Sequence, residues 1–204
     1  MTTSSRRLHE SASQTAGPYV HIGCVPNHSG IVGVYPSDLG ATMRTVGTKG
    51  QHITVTGTVF DGEDAPLRDA LIEIWQADAD GRYATGGDRG TDNAAFSGWG
   101  RTAGDFDTGL WRFETIKPGP VPGPDGRFMA PHITFWIVAR GVNIGLQTRM
   151  YFPDEADANA ADPILALVAP KDRIDTLIAS PEADDTYRFD IRLQGSRETV
   201  FFDV

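Results

Sequence analysis

The sequence predicts an all-β fold, a β-sandwich with short helical excursions and long loops, and three observations predict it. Short segments alternate apolar or β-branched residues with polar ones at a period of two, the signature of half-buried strands. The 23 glycines and 13 prolines collect mainly between those segments, where the chain must turn. Helical spacing is confined to two brief runs, too little for a layer of helices.

In chain order, the first strand is expected from His52 to Phe60, HITVTGTVF, where Ile53, Val55, Gly57 and Val59 alternate with threonines. The turn DGEDAP follows. ALIEIWQAD then places Ile72 and Ile74 on one face and Leu71, Glu73 and Trp75 on the other, and the Asp-Gly pair of DADGRY ends it. Ala84 to Gly104 is glycine-rich with little periodicity, which predicts a long loop, either functional or a cover for a sheet edge. Further strands are expected at LWRFETI, HITFWIVAR, QTRMYF, TYRFDIRLQ and ETVFFDV. The helical excursions are PDEADANAA and KDRIDTLIA, whose Ile174, Leu177 and Ile178 keep helical spacing. Residues 1–12 are polar and aperiodic, a tail or arm, which leaves 13–204 as a single sandwich domain.

Composition narrows the function. A net charge of −9 without a Lys/Arg cluster argues against nucleic acid or an anionic membrane as partner, since either requires a positive surface. One cysteine, Cys24, permits no intrachain disulfide, and the N-terminal stretch lacks the apolar core of a secretory signal, so a cytoplasmic, soluble protein is expected. His9 lies in the tail, His21 and His28 flank Cys24 without the paired spacing of a zinc site, and His52 opens a strand; structural roles are expected for all four. Phosphate loops, nucleophile elbows and HExxH motifs are absent from the sequence.

Several segments together carry a resemblance: SQTAGPYVHIG, GTVFDGEDAPLRDALIEIWQADADGRY, GRTAGDFDTGLWRFETIKPGPVP, MAPHITF and RMYFPDE. In this order and spacing the chain resembles the intradiol ring-cleaving dioxygenases from about Ser13 to its C-terminus, most closely the alpha subunits of their alpha-beta heteromers. The resemblance implies Fe(III) held by two tyrosinates and two histidines, donors that suit a hard ferric ion and complete its coordination. Tyr83 matches the first tyrosine and His132 the first histidine, but Val121 stands at the second tyrosine and Thr134 at the second histidine. Met129 stands where active chains carry an arginine. Tyr83, Val121, His132 and Thr134 are therefore relic positions, with His132 expected to be satisfied by hydrogen bonds rather than by a metal.

For an alpha subunit, the resemblance implies a homologous beta subunit that holds the iron, with 3,4-dihydroxybenzoate and O2 as substrates and 3-carboxy-cis,cis-muconate as product. No catalytic residue is then expected in this chain alone. Its contribution would be a pocket edge at the subunit interface, from Thr15, Gly17, Pro18 and Tyr19 and from Arg140, whose guanidinium suits a carboxylate. The alternatives are a self-sufficient dioxygenase with altered ligands and a non-catalytic β-sandwich binding module.

Overall fold

The computed structural model describes residues 12–84, 95–123 and 125–203. A short helix, α1 (Val20–Cys24), precedes strands β1 (His52–Phe60), β2 (Leu71–Trp75), β3 (Trp99–Ala103), β4 (Leu110–Ile116), β5 (Val121–Pro122), β6 (Phe128–Met129), β7 (His132–Val138) and β8 (Leu146–Tyr151). Helix α2 (Ala156–Ala161) and a 3-10 stretch over Lys171–Leu177 lead to β9 (Ser180–Ala183), β10 (Thr186–Arg188) and β11 (Ile191–Arg192).

Two sheets form the sandwich. In the first, β1 pairs antiparallel with β4 along one side and parallel with β10 and then β11 along the other, and β9 adds antiparallel to β10. The second is antiparallel throughout, in the order β3-β2-β7-β8. Alternation sends Val55, Val59, Trp111 and Phe113 from one sheet against Ile72, Ile74, Ile133, Phe135 and Ile137 from the other. Trp111 and Phe135 meet at 5.5 Å between ring centres, an aromatic seam across the core.

The expected strands at HITVTGTVF, LWRFETI, HITFWIVAR and QTRMYF are present, and α2 lies within PDEADANAA. Other segments depart from expectation for identifiable reasons. TYRFDIRLQ is broken into β10 and β11, because the Asp190 carboxylate accepts the Thr58 amide of β1 at 3.0 Å, where a strand backbone would otherwise pair. ETVFFDV is not a strand; it contributes one bridge, from Phe202 to Gln147 of β8. KDRIDTLIA winds as a 3-10 helix rather than an α-helix. Leu71, expected on the face opposite the core, is buried in a smaller cluster with Val25 and Ala103, against which Val20 and Cys24 of α1 pack. Within the loop expected over residues 84–104, Trp99–Ala103 forms edge strand β3, while residues 85–94 lie outside the described set. The tail expected over residues 1–12 also lies outside it, up to residue 11. Among the described residues no helix is long and apolar enough to cross a membrane.

Candidate functional site

The outer face of the second sheet carries the positions that the sequence singles out. Because directly paired residues share a face, the register places Trp99, Trp75, Thr134 and Arg149 in one row and Arg101, Glu73, Trp136 and Gln147 in the next. His132 and Tyr151 flank the first row, their ring centres 5.7 Å apart.

Two loops bring the remaining positions to this face. The Asp78 side chain accepts the amides of Asp80 (3.0 Å) and Arg82 (2.9 Å), which curls DADGRY, and the Asp78 carbonyl accepts the Gly119 amide at 2.9 Å, which ties in the loop before Val121. Gly81 has φ +77°, and a Cβ there would stand 2.1 Å from the Pro120 carbonyl oxygen, so only glycine permits this approach. Tyr83, Val121 and Met129 consequently pack in one cluster with Ala77 and Ile164, and the Tyr83 ring stacks on Trp75 at 6.3 Å and 25°.

His132 is held from behind. Its Nδ1 lies 2.7 Å from the Ala130 carbonyl, so Nδ1 carries the hydrogen and Nε2 keeps a lone pair. Nε2 is buried and has no hydrogen-bond partner among the described residues, which corrects the expectation of a fully satisfied histidine. Burial, reinforced by the positive charge of Arg149, lowers the imidazole pKa to about 4. Ala130 is fixed in turn by Asp162, a buried carboxylate that accepts the amides of Ala130, Ile164 and Leu165, each at 2.8 Å, and contacts the Tyr151 hydroxyl at 3.4 Å.

Arg149, not singled out by the sequence reading, stands among these positions. It is the cross-strand partner of Thr134, its Nη1 reaches Met129 Sδ at 3.4 Å, and its charge acts on both Tyr83 and His132. Burial nonetheless holds the Tyr83 phenol above its ordinary value. Ferric iron does not fit this set. Val121 offers no donor atom, the Thr134 hydroxyl is neutral, and a fixed cation already occupies the neighbourhood. The alternation of QTRMYF, which puts Gln147, Arg149 and Tyr151 on one face, was the available signal for Arg149.

The positions expected to edge a shared pocket gather elsewhere. Ala16 bridges Arg140 in parallel, and the Thr15 hydroxyl accepts the Gly141 amide at 2.8 Å and lies 3.3 Å from the Ala139 carbonyl. Gly17 accepts the Val20 amide ahead of α1, and Gly17, Pro18 and Tyr19 are exposed. The Arg140 side chain is 66% exposed, with Nε 3.3 Å from the Asp69 carboxylate, itself 16% exposed. Thus TAGP and Arg140 form one exposed edge just past the C-terminal end of β7, whereas His132 begins that strand. At the rise of an extended chain, about 25 Å separates the two places.

Of the other described histidines, His21 is buried with neither ring nitrogen hydrogen-bonded among the described residues. The His21 ring packs edge-on to Phe106 at 5.4 Å, His28 Nε2 lies 3.2 Å from the Gly104 carbonyl and His52 Nε2 lies 3.2 Å from that of Thr48. His9 is outside the described residues.

Residues 35–195 match the protein family described as Dioxygenase. The chain is 46% identical to the protocatechuate 3,4-dioxygenase alpha chain of Pseudomonas putida over 96% of its own length and 97% of that relative's. It is 38% identical to the protocatechuate 3,4-dioxygenase beta chain of Burkholderia cepacia, over 74% of this chain and 67% of that one. Among solved structures it resembles the dioxygenase domain of a dioxygenase and carbohydrate-binding fusion protein from Streptomyces sp. SirexAA-E, with a TM-score of 0.56 and 30% identity over 76% of this chain and 85% of that one.

Proposed function

The chain belongs to the intradiol dioxygenase family, and from that premise we propose that it is the alpha subunit of a protocatechuate 3,4-dioxygenase. With a homologous beta subunit it takes part in the cleavage of 3,4-dihydroxybenzoate by O2 to 3-carboxy-cis,cis-muconate. Fe(III) belongs to the beta subunit, this chain alone is inactive, and the heteromer is cytoplasmic. The observation that carries the reading is the contrast within the chain. The family's metal positions hold Val121, Thr134 and a neighbouring guanidinium, while an exposed edge of Thr15, Gly17, Pro18, Tyr19 and Arg140 stands at the other end of β7.

On this reading the chain's residues bind and orient; they make no bond to iron. Thr15 fixes the backbone on either side of Arg140 through the Ala139 carbonyl and the Gly141 amide. The Arg140 guanidinium, only loosely engaged by Asp69, is available to a substrate carboxylate.

The test is Arg140→Ala in the reconstituted heteromer, with oxygen uptake and iron content measured on one preparation. Losing a hydrogen bond to a charged group costs about 1.5–3 kcal/mol, roughly a ten- to hundredfold drop in kcat/KM, at unchanged iron content. Wild-type kcat/KM in a fully iron-loaded variant would reduce Arg140 to scaffold. Stoichiometric iron in this chain expressed alone would overturn the division of labour.

A further inference from the structure

Arg149 has no task in the proposed reaction, and its surroundings are those of a ligand site. Gln147 and Arg149 project from the outer face of β8, and Thr134 stands directly opposite Arg149 on β7. These three side chains line one cavity of about 450 Å³ whose other walls include Ile164, Leu167, Val168 and Phe202. The guanidinium lies 5.9 Å from the centre of the Phe202 ring.

Two features set this cavity apart from ordinary surface relief. First, Arg149 is half-buried, yet among the described residues no carboxylate lies within ion-pairing distance of it. Its guanidinium hydrogen-bonds the Met129 thioether sulfur, a weak acceptor, at 3.4 Å and the neutral Tyr151 hydroxyl, and neither offsets its charge. Asp203 also lines the cavity but does not pair with it. In a chain with 27 acidic and 18 basic residues, a half-buried guanidinium without a carboxylate is an unbalanced charge that an anion would relieve. Second, the Thr134 hydroxyl and the Gln147 amide make no side-chain hydrogen bond among the described residues, so three polar groups converge on one cavity with spare bonding capacity, the arrangement typical of small-molecule sites.

We propose that this cavity binds a small organic carboxylate with a flat apolar body. The carboxylate pairs with the Arg149 guanidinium, assisted by Thr134 and Gln147, and the body lies against Ile164, Val168 and Phe202. Two kinds of acid offer this chemistry, an aromatic ring acid and an open-chain unsaturated one. The choice of those two rests on the proposed function; the site itself does not.

The experiment titrates the assembled alpha-beta protein with benzoate in one arm and cis,cis-muconate in the other, following heat and the iron-linked visible absorption together. The expected result is one binding event per alpha chain that leaves the absorption unchanged, weakened at least tenfold by Arg149→Gln while kcat/KM stays at the wild-type value. The stronger arm identifies the class of acid. Binding that always shifts the absorption, or a silent event that survives Arg149→Gln, overturns the proposal. A soak of wild-type crystals with 4-bromobenzoate requires neither the variant nor turnover. A bromine peak in the Arg149 cavity supports the site, and its absence at saturating concentration overturns it. Failure of the functional reading would appear separately, as absence of ring cleavage by the wild-type heteromer.

Discussion

His132 carries a single unpartnered lone pair among the described residues. The ring is oriented as a ligand would be, with Nδ1 engaged by Ala130 and Nε2 left free, yet its neighbours supply no partner for a metal to share. The cost appears in acid. With the folded imidazole at about 4 and an unperturbed one at 6.5, the unfolded chain takes up a proton between those pH values and the native chain does not. Stability from this group is therefore complete above about pH 6.5 and is lost as pH falls toward 4, by about 3 kcal/mol. His132→Gln should remove that share of the loss. Denaturation midpoints at pH 7.5 and 4.5 for the two proteins would show it, and identical pH dependence would refute it. His132 could be singled out from sequence because a motif surrounds it. Asp162 could not: it lies 32 positions from the Ala130 amide that it fixes, and nothing in its own neighbourhood announces the contact.

Strand β1 is where local pattern and tertiary demand meet most tightly. Its glycine looks like a weakness in a strand, but a Cβ at Gly57 would stand 2.0 Å from the Phe189 carbonyl oxygen and 2.5 Å from the Trp111 ring. Gly57→Ala should therefore destabilise the fold by about 3 kcal/mol through overpacking, read as a lower urea midpoint. A neutral result would mean that the segment between β10 and β11 can move away. The period-two pattern of β1 was legible because propensity and burial agree there. That of β3 was not, since Gly100 interrupts it to make room for Met43 and Phe113, and the Arg101–Glu73 ion pair that marks its outer face is a cross-strand contact. The loops of Tyr83 and Val121 were legible as motifs, whereas the position of the Arg149 guanidinium depends on which strands pair.

At the scale of the whole molecule, several large apolar side chains face outward among the described residues. Tyr19, Val32, Val34, Val46 and Leu167 are all exposed, and the first four lie in the N-terminal quarter of the chain, near the Thr15–Arg140 edge in the case of Tyr19. Obligate interfaces are large and apolar. The chain expressed alone should accordingly self-associate in sedimentation velocity, and co-expression with its homologous partner should yield a defined heteromer; a stable monomer at high concentration would count against this. The parallel pairing of Thr54 with Thr186 has a consequence during synthesis. The strand that organises the first sheet leaves the ribosome long before β10 and β11, its neighbours on one side. At roughly 5–20 residues per second, that side of the nascent strand stays open on the order of ten seconds. Until β10 and β11 emerge, it is a surface that a chaperone must cover or a neighbouring nascent chain can seize.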